Sequence, residues 1–207
     1  MKVTLIGSGN MGSALAKHIA AAGHSLAITG RDAAKGQTLA RSVGAVFKSD
    51  AAADGAEIVI AATGYGDAIG ALKTAGNLDG KAVIDISNPL TADYMGLSVG
   101  HTTSAAEEIQ KAFPAAYVVK AFNTVFAQVL AGGPTLSGAA VPVYLAGDDA
   151  HAKKSVGDLV RSMGFSPVDA GALKNARYLE PLGGLNIYFG YGAGRGTSIA
   201  PAWIGIK

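Results

Sequence analysis

Short apolar runs alternate along the chain with longer stretches in which apolar residues recur at helical spacing. The run EIVIAA at 57–62 is the clearest example of a near-continuous apolar segment, which is typical of a strand buried on both faces. Because strands and helices alternate over most of the chain, the pattern predicts a parallel sheet with helices on both faces. After an N-terminal strand, strands are predicted at 25–29, 45–47, 57–62, 82–86, 116–120, 141–146 and 165–169, about eight in all.

Polar residues and prolines add boundaries to this pattern. Ser104 lies three residues before Glu107, a capping-box spacing that predicts the start of a helix at about Ala105. Proline cannot donate a hydrogen bond within a sheet, so Pro142 and Pro167 predict that the last strands lie at or near an edge. The other helices are predicted at 11–22, 33–43, 67–74, 149–163 and 172–190.

A glycine-rich turn joins the first predicted strand to the first predicted helix. Its pattern is G-x-G-x-x-G, and a strand before it with a helix after it is the context that indicates dinucleotide binding. The first glycine permits the tight turn, the second lets the backbone approach a pyrophosphate, and the third lets the helix pack closely on the strand. The backbone N–H groups at the start of the helix then bind the negatively charged pyrophosphate. The turn consists of Gly7, Ser8, Gly9, Asn10, Met11 and Gly12, and all six are predicted to bind the cofactor.

The predicted fold is therefore α/β, a doubly wound, mainly parallel sheet of the Rossmann type that binds NAD(P), with a small C-terminal helical extension. The length of 207 residues fits one domain with an appendage. We predict that residues 1–170 form the NADP-binding domain and that residues 171–207 form a C-terminal helix and tail packed on it.

The end of the second predicted strand favours NADP over NAD. An NAD-binding unit usually has a carboxylate there for the ribose 2′-hydroxyl. This chain instead has Thr29, Gly30 and Arg31, a set suited to a 2′-phosphate because Arg grips phosphate through two parallel hydrogen bonds. Lys35 follows one turn into the next helix and adds a second positive charge. Asp32 is suited to capping that helix, although its side chain also suits a ribose hydroxyl.

Other candidate site residues follow later strands, because ligands of a doubly wound sheet bind beyond the carboxyl ends of its strands. Thr63 and Tyr65 follow the third long strand, where the chain passes beneath a bound dinucleotide. Asn88, Ala121 and Asn123 follow the next two, and the two amides suit the nicotinamide carboxamide or ribose. Loop capping by the Asn side chains and simple packing of the Tyr65 ring are the alternatives.

The candidate pocket has no assigned protein acid or base. Reduction of a carbonyl needs a proton donor at the oxygen. His101 and Lys120 are candidates that no sequence pattern places in the pocket, so we assign no catalytic residue. Hydride transfer between a nicotinamide and a flavin or deazaflavin ring fits better, since the cofactors carry that chemistry and the protein aligns them.

Composition excludes several classes of partner. The net charge of +2 gives no reason to expect nucleic acid or an anionic membrane surface. There is no Cys, and no two of the four His have metal-ligand spacing, so we predict no metal site. The uncharged stretch 121–147 is interrupted by Gly132, Gly133 and two prolines, so it does not predict a membrane span. The chain starts directly with a strand, so we predict a cytoplasmic protein without a signal peptide.

Several blocks of the sequence resemble one family over almost the whole chain. GSGNMG at 7–12, NPL at 88–90, SAAEEIQKAFPAAYVVKAFNT at 104–124 and GFSPVDAGAL at 164–173 are similar to the NADP-dependent deazaflavin reductases. The same blocks resemble the cytosolic reductase domain of the six-transmembrane metalloreductases, which pass electrons from NADPH through flavin to iron or copper. The resemblance implies hydride transfer between NADPH and coenzyme F420, and a homodimer.

The resemblance also implies residue roles. Residues 8–11 would line the pyrophosphate, Gly30, Arg31 and Lys35 would bind the 2′-phosphate, and the segment at Asn123 would lie by the nicotinamide. Gly64 stands where the family often has Pro, which predicts a looser loop before Tyr65. The segment 186–203 departs from the archaeal members, and its aromatic residues would wall the flavin side of the pocket, mediate dimerisation or simply pack as core and tail.

Two alternatives to a deazaflavin reductase stay open. One is another NADPH-dependent reductase that acts on FMN, FAD, an imine or a carbonyl; the start IGSGNMGSALA also resembles pyrroline-carboxylate reductase. That family continues into a long helical dimerisation domain, whereas this chain continues to form strands after residue 115. The β-hydroxyacid dehydrogenases need a similar domain with a catalytic Lys, and too little chain follows Lys174. The other alternative is a non-catalytic NADP(H)-binding redox sensor.

Overall fold

The computed structural model describes residues 1–205, in which strands and helices alternate as the apolar pattern predicts. The strands are β1 Lys2–Ile6, β2 Ser25–Thr29, β3 Val46–Phe47, β4 Ile58–Ala61, β5 Ala82–Asp85, β6 Tyr117–Lys120, β7 Thr135–Leu136, β8 Ala139–Ala140, β9 Pro142–Gly147 and β10 Ser166–Asp169. The helices are α1 Asn10–Ala21, α2 Ala33–Val43, α3 Tyr65–Thr74, α4 Ala105–Ala112, α5 Ala127–Gly132, α6 Ala150–Ser162 and α7 Ala176–Ile187.

Eight of these strands form one sheet in the order β10-β9-β6-β5-β4-β1-β2-β3, and β7 and β8 form a separate hairpin. The six strands from β6 to β3 are parallel, which confirms the doubly wound fold. β9 pairs antiparallel with β6, and β10 pairs parallel with β9, so the last two strands run opposite to the rest. β10 forms an edge, as Pro167 predicts, and Pro142 is the first residue of β9.

The core consists of two apolar layers, one on each face of the sheet. Ile60 of β4 lies in the layer under α1 and α6, whereas its neighbour Val59 lies in the layer under α3 and α4. Both residues are fully buried. This double burial explains the continuous apolar run of β4, since each alternate side chain enters a separate layer.

The C-terminal segment differs from the single helix predicted at 172–190. A 3₁₀ helix at Leu173–Asn175 precedes α7, and a π-helical turn at Tyr188–Gly192 follows it. A Cβ on Gly190 would lie 2.6 Å from Cζ of Phe126, so close packing of this turn on the Phe126 ring accompanies the departure from α-helical geometry. The domain boundary at residue 170 stays a proposal, and residues 206 and 207 lie outside the described part of the chain.

Candidate functional site

The glycine turn between β1 and α1 is shaped by two close approaches. Gly7 has a φ of +114°, its N–H donates to the Thr29 carbonyl at 2.8 Å, and a Cβ on it would overlap the Ala62 carbonyl. A Cβ on Gly12 would overlap the Gly7 carbonyl. By contrast, no atom lies within 4 Å of the position that a Gly9 Cβ would take. Packing therefore explains Gly7 and Gly12, while the space at Gly9 is open to a ligand.

The N-terminus of α1 faces this open space with its backbone N–H groups. Gly9 is the N-cap residue and no side chain caps the helix, while the Gly9 carbonyl accepts from the Ser13 N–H at 2.8 Å. The N–H groups of the first turn have no intrahelical partner, and they carry the positive end of the helix dipole. This arrangement fits the pyrophosphate of a dinucleotide.

One cavity of about 510 Å³ lies on the β2 side of this turn. Arg31 and Asp67 face each other at its mouth, with 3.1 Å between Nη2 and Oδ2. Asp32 caps α2 by accepting from the Lys35 N–H at 2.9 Å, as its position predicts, and its carboxylate lies 3.6 Å from Lys35 Nζ. The predicted site residues that line this cavity are Gly7, Ser8, Gly9, Gly30, Arg31, Lys35 and Thr63.

A second cavity, of about 630 Å³, lies on the other side of the turn. Asn88 and Asn123 form part of its wall and bond each other reciprocally: Asn88 Nδ2 donates to the Asn123 carbonyl at 2.7 Å, and Asn123 Nδ2 donates to Asn88 Oδ1 at 2.9 Å. Gly183 of α7 and Tyr191 of the π-helical turn also line this cavity. The predicted site residues that line this cavity are Asn10, Met11, Asn88 and Asn123.

Two polar atoms in the wall of the second cavity have no hydrogen-bond partner among the described residues. They are Asn123 Oδ1 and Thr124 Oγ1, and their residues are 6% and 1% exposed. Among the described residues, Thr63 Oγ1 at the first cavity and Ser87 Oγ also have no hydrogen-bond partner. Buried polar atoms are nearly always paired, so these four atoms keep unused hydrogen-bonding capacity, and two of them belong to residues of the second cavity wall. Thr124 directly follows Asn123 in the pocket segment that the sequence predicts after β6, but no role was predicted for its side chain.

Four of the predicted site residues line neither cavity. Thr29 is buried and contributes its carbonyl to Gly7, and Gly12 is buried under the turn. Ala121 lies in the core, with its N–H donating to the Asp85 carbonyl at 3.1 Å. Tyr65 is the first residue of α3 and is partly buried; this burial and the charges of nearby carboxylates raise the pKa of its hydroxyl.

Sequence reasoning missed a buried charge cluster, which we define as Lys120, Asp85 and Glu180. Lys120 Nζ lies 2.7 Å from Asp85 Oδ2 and 2.7 Å from Glu180 Oε1, and all three side chains are at most 1% exposed. Burial raises the pKa of Glu180, although the Lys120 charge opposes this. A signal for part of the cluster was present, since Asp85 and Lys120 lie at or next to the ends of consecutive predicted strands and are partners in the register of β5 and β6.

No helix within residues 1–205 is both long enough and apolar enough to cross a membrane. In the same part of the chain, no group of three or more His, Asp or Glu side chains is placed to hold a metal ion.

Comparison with known proteins places this geometry in a family. Residues 2–89 match the family described as NADP oxidoreductase, coenzyme F420-dependent. Metalloreductase STEAP3 of Rattus norvegicus is 32% identical over 181 residues, which cover 87% of this chain and 36% of the relative. The chain thus spans about a third of the length of that curated relative.

Solved structures extend the match to the whole fold. A protein of Arthrobacter sp. FB24, provisionally named an F420-dependent NADP-reductase, superposes with a TM-score of 0.87 and 32% identity, and the match covers 98% of this chain and 100% of the other. A reductive aminase from Aspergillus terreus matches with a TM-score of 0.69 over 93% of this chain and 63% of its own, but its 20% identity shows the fold alone. The chain therefore belongs to the coenzyme F420-dependent NADP oxidoreductase family.

Proposed function

We propose that this NADP-dependent oxidoreductase transfers a hydride between NADPH and a flavin-type acceptor, and that the acceptor is the deazaflavin coenzyme F420. The observation that carries the proposal is the second cavity, whose volume of about 630 Å³ adjoins the glycine turn through Asn10 and Met11. It offers room for a ring system beside a nicotinamide, and cavities of this size are typical of small-molecule sites. The family match and the name of the Arthrobacter relative support the same acceptor.

The residues present fit a bound dinucleotide at both ends. The open space at Gly9 and the free N–H groups of α1 suit a pyrophosphate, and Arg31 and Lys35 suit a 2′-phosphate. At the other end, Asn88, Asn123 and Thr124 line the second cavity, and side chains of these types suit a carboxamide or a ribose hydroxyl. When bound, NADPH supplies the hydride. The chain binds and orients both ring systems, and the apolar wall excludes water.

The chemistry of the cavity wall favours an acceptor that needs no protein acid. Asp93 is the carboxylate among its lining residues, and hydrogen bonds from Thr91 Oγ1 and from the Met95 N–H lower the pKa of Asp93. Asp93 is therefore ionised near neutral pH and is a poor proton donor. No His or Lys is among the described residues that line this cavity.

A carbonyl or imine reductase is the second candidate, and the phenols of Tyr94 and Tyr191 in the cavity wall favour it. Tyrosine can donate the proton that a carbonyl oxygen needs. The double variant Tyr94→Phe/Tyr191→Phe distinguishes the two functions, because it removes both phenolic protons and keeps the rings. A carbonyl or imine reductase loses activity in this variant, whereas a flavin-class reductase keeps it.

The direct test is anaerobic mixing of the protein with NADPH and coenzyme F420, followed by the absorbance of the deazaflavin. Loss of the oxidised deazaflavin band at a catalytic rate supports the proposal. Absence of that loss, in protein that is folded and binds NADPH, rejects coenzyme F420 as the acceptor. Parallel samples with FMN, FAD, FAD plus a ferric chelate, and a cyclic imine then identify the acceptor class, including the metalloreductase chemistry suggested by STEAP3.

We also propose that the protein is cytoplasmic and that it forms a homodimer. The homodimer is supported by exposed apolar side chains on and after α7, where Leu185, Tyr188 and Phe189 are 49%, 50% and 38% exposed. Large exposed apolar groups of this kind mark interaction surfaces. Sedimentation equilibrium measures the oligomeric state, and a monomer at micromolar concentration rejects the dimer.

A further inference from the structure

We infer that the charge cluster of Lys120, Asp85 and Glu180 positions the nicotinamide end of the site, by fixing the loop after β5 and helix α7 against each other. The inference rests on the proposed function, since it takes the second cavity as the place of the nicotinamide. Under this inference the three are positioning residues, which act through the residues that line the cavity.

The cluster ties together three separate parts of the chain. Lys120 ends β6, Asp85 ends β5 and Glu180 lies on α7, sixty residues after Lys120. Lys120 Nζ also donates to the Ser87 carbonyl at 2.6 Å, so its three contacts are two carboxylates and one carbonyl. Glu180 in turn accepts from two backbone N–H groups at the start of α4, at 3.0 and 3.3 Å, which fixes its carboxylate from the other side.

The Lys120–Ser87 contact and the position of Glu180 both connect the cluster to residues that line the second cavity. Ser87, held by Lys120, directly precedes Asn88, and Asn88 and Asn123 are bonded to each other. Asn123 Nδ2 also donates at 2.7 Å to the carbonyl of Leu179, the residue before Glu180. One turn later, Gly183 packs directly on the Asn pair, because a Cβ there would lie 2.8 Å from Asn88 Oδ1. A shift of α7 or of the β5 loop would therefore move both amides.

The cluster is not an acid or base of the reaction. None of its three side chains lines either cavity of the described chain, and all are shielded from solvent. It is also a poor means of adding stability, since apolar replacements of a buried ion pair are often neutral or stabilising. Buried charges do fix one arrangement against alternatives, because each must keep its own partners. That property suits a wall that orients a reactive ring.

The test compares two variants with the wild type. Lys120→Met alone leaves two carboxylates buried without a cation, which is destabilising. The neutral triple variant Lys120→Met/Asp85→Asn/Glu180→Gln is therefore measured beside it, because it removes all three buried charges together and leaves none unpaired. Lys153→Met is the matched control: Lys153 lies 2.8 Å from Asp169 at the far edge of the sheet and lines neither cavity.

Three readouts separate positioning from general stability. The affinity for 2′,5′-ADP reports the adenosine end, the emission maximum and anisotropy of bound NADPH report the nicotinamide, and turnover gives kcat and KM. In the triple variant we expect kcat to fall about tenfold or more. We expect KM for NADPH and the affinity for 2′,5′-ADP to change by less than about threefold. The bound nicotinamide then emits more like free NADPH, whereas the Lys153→Met protein behaves as wild type.

Each other result overturns the inference. A triple variant that keeps wild-type kcat and NADPH emission shows that the cluster does not position the ring. Equal losses for 2′,5′-ADP and for the nicotinamide signal show a merely structural role. A wild-type protein that binds 2′,5′-ADP without any change in NADPH emission overturns the proposed function itself, and with it this inference; the first two results leave the proposed function standing.

Discussion

Arg31 and Asp67 form an ion pair across the mouth of the first cavity, with 3.1 Å between Nη2 and Oδ2. Arg31 follows β2, and Asp67 lies in the first turn of α3. The guanidinium that we propose for the 2′-phosphate thus already has an anionic partner in the free chain. Their side chains are 88% and 52% exposed, so the pair itself contributes about 0–1 kcal/mol to stability.

Substitutions at this pair should change the preference between NADPH and NADH. Arg31→Ala should weaken NADPH by about 1–3 kcal/mol and leave NADH nearly unchanged, because it removes a charge-assisted contact to phosphate. Asp67→Asn should strengthen NADPH selectively, since Arg31 is released and a negative charge is removed. Nucleotide titrations measure both. Asp158→Asn, the same charge change on α6, is the control, and equal effects on the two nucleotides would reject the assignment.

Gly9→Val should abolish dinucleotide binding in a chain that still folds. No atom lies within 4 Å of the added Cβ in the free protein, so the side chain obstructs only a ligand. Gly12→Val is the contrast, because its Cβ overlaps the Gly7 carbonyl and should lower the thermal midpoint. Calorimetric titration measures NADPH binding by the two variants, and thermal unfolding measures their stability. Normal NADPH affinity in the Gly9 variant would remove this turn from the site.

Gly183→Ala should disturb the Asn88–Asn123 pair. The new Cβ would lie 2.8 Å from Asn88 Oδ1 and 2.9 Å from the Asn123 carbonyl, so we expect a loss of about 1–3 kcal/mol in unfolding free energy and a lower kcat. At the adjacent Gly184 the nearest atom is a Leu97 methyl at 3.6 Å, an ordinary contact. Gly184→Ala should therefore be stabilising by about 0.5–1 kcal/mol. Urea unfolding and turnover assays compare the two, and similar behaviour would contradict the packing argument.

Tyr191 and Trp203 should differ in their effect on the acceptor. The ring of Tyr191 packs edge-on against Phe126 at 5.7 Å and lines the second cavity. Trp203 packs against Tyr144 at 5.3 Å and lines neither cavity. We expect Tyr191→Ala to lower kcat/KM for the acceptor and Trp203→Ala to leave it unchanged. Steady-state assays at saturating NADPH measure this, and an unaffected Tyr191→Ala enzyme would move the acceptor elsewhere.

The ion pair between Glu107 of α4 and Arg177 of α7 should make stability depend on pH. Arg177 donates to Glu107 at 2.8 and 2.6 Å, and these hydrogen bonds hold the pKa of Glu107 below its ordinary value of 4.5. A carboxylate with a lowered pKa stabilises the fold above its unfolded pKa, and this contribution is lost as the pH falls through the folded pKa.

Arg177→Met should therefore lower the thermal midpoint at pH 7, and its difference from the wild type should shrink as the solution is acidified below pH 4.5. Thermal unfolding across this pH range is the measurement. Arg161→Met, which breaks an exposed pair with Asp158 on α6, serves as the control. A difference that persists unchanged in acid would assign the effect to lost packing of the Arg177 side chain.

The sequence predicts those features that depend on neighbouring residues. The glycine turn, the Asp32 cap and the start of α4 at Ala105 each need only a few adjacent positions, and the structure shows the turn, the cap and the helix start where they were predicted. The doubly wound sheet follows from apolar runs such as β4, which are repeated along the chain.

The remaining features depend on contacts between distant segments. Strand direction does not follow from an apolar run, so the reversal of β9 has no local signal. Glu180 reaches Lys120 only after α7 has folded back over the sheet. Asp85 and Lys120 did carry a signal, because two opposite charges stand at the same level of adjacent apolar strands. Only the folded structure shows that both of these charges are buried.

The reversal of β9 also decides where helix dipoles point. Since α6 follows β9, its N-terminus lies at the amino ends of the parallel strands, where His151 shares a cavity with Lys81 and Tyr117. The first N–H groups of α4 are occupied by Glu180. Of the helices that follow parallel strands, α1, α3 and α5 have N-termini that no side chain caps, and all three begin at the crevice. Because Ala127 and Gln128 of α5 line the second cavity, positive helix ends lie along both halves of the crevice.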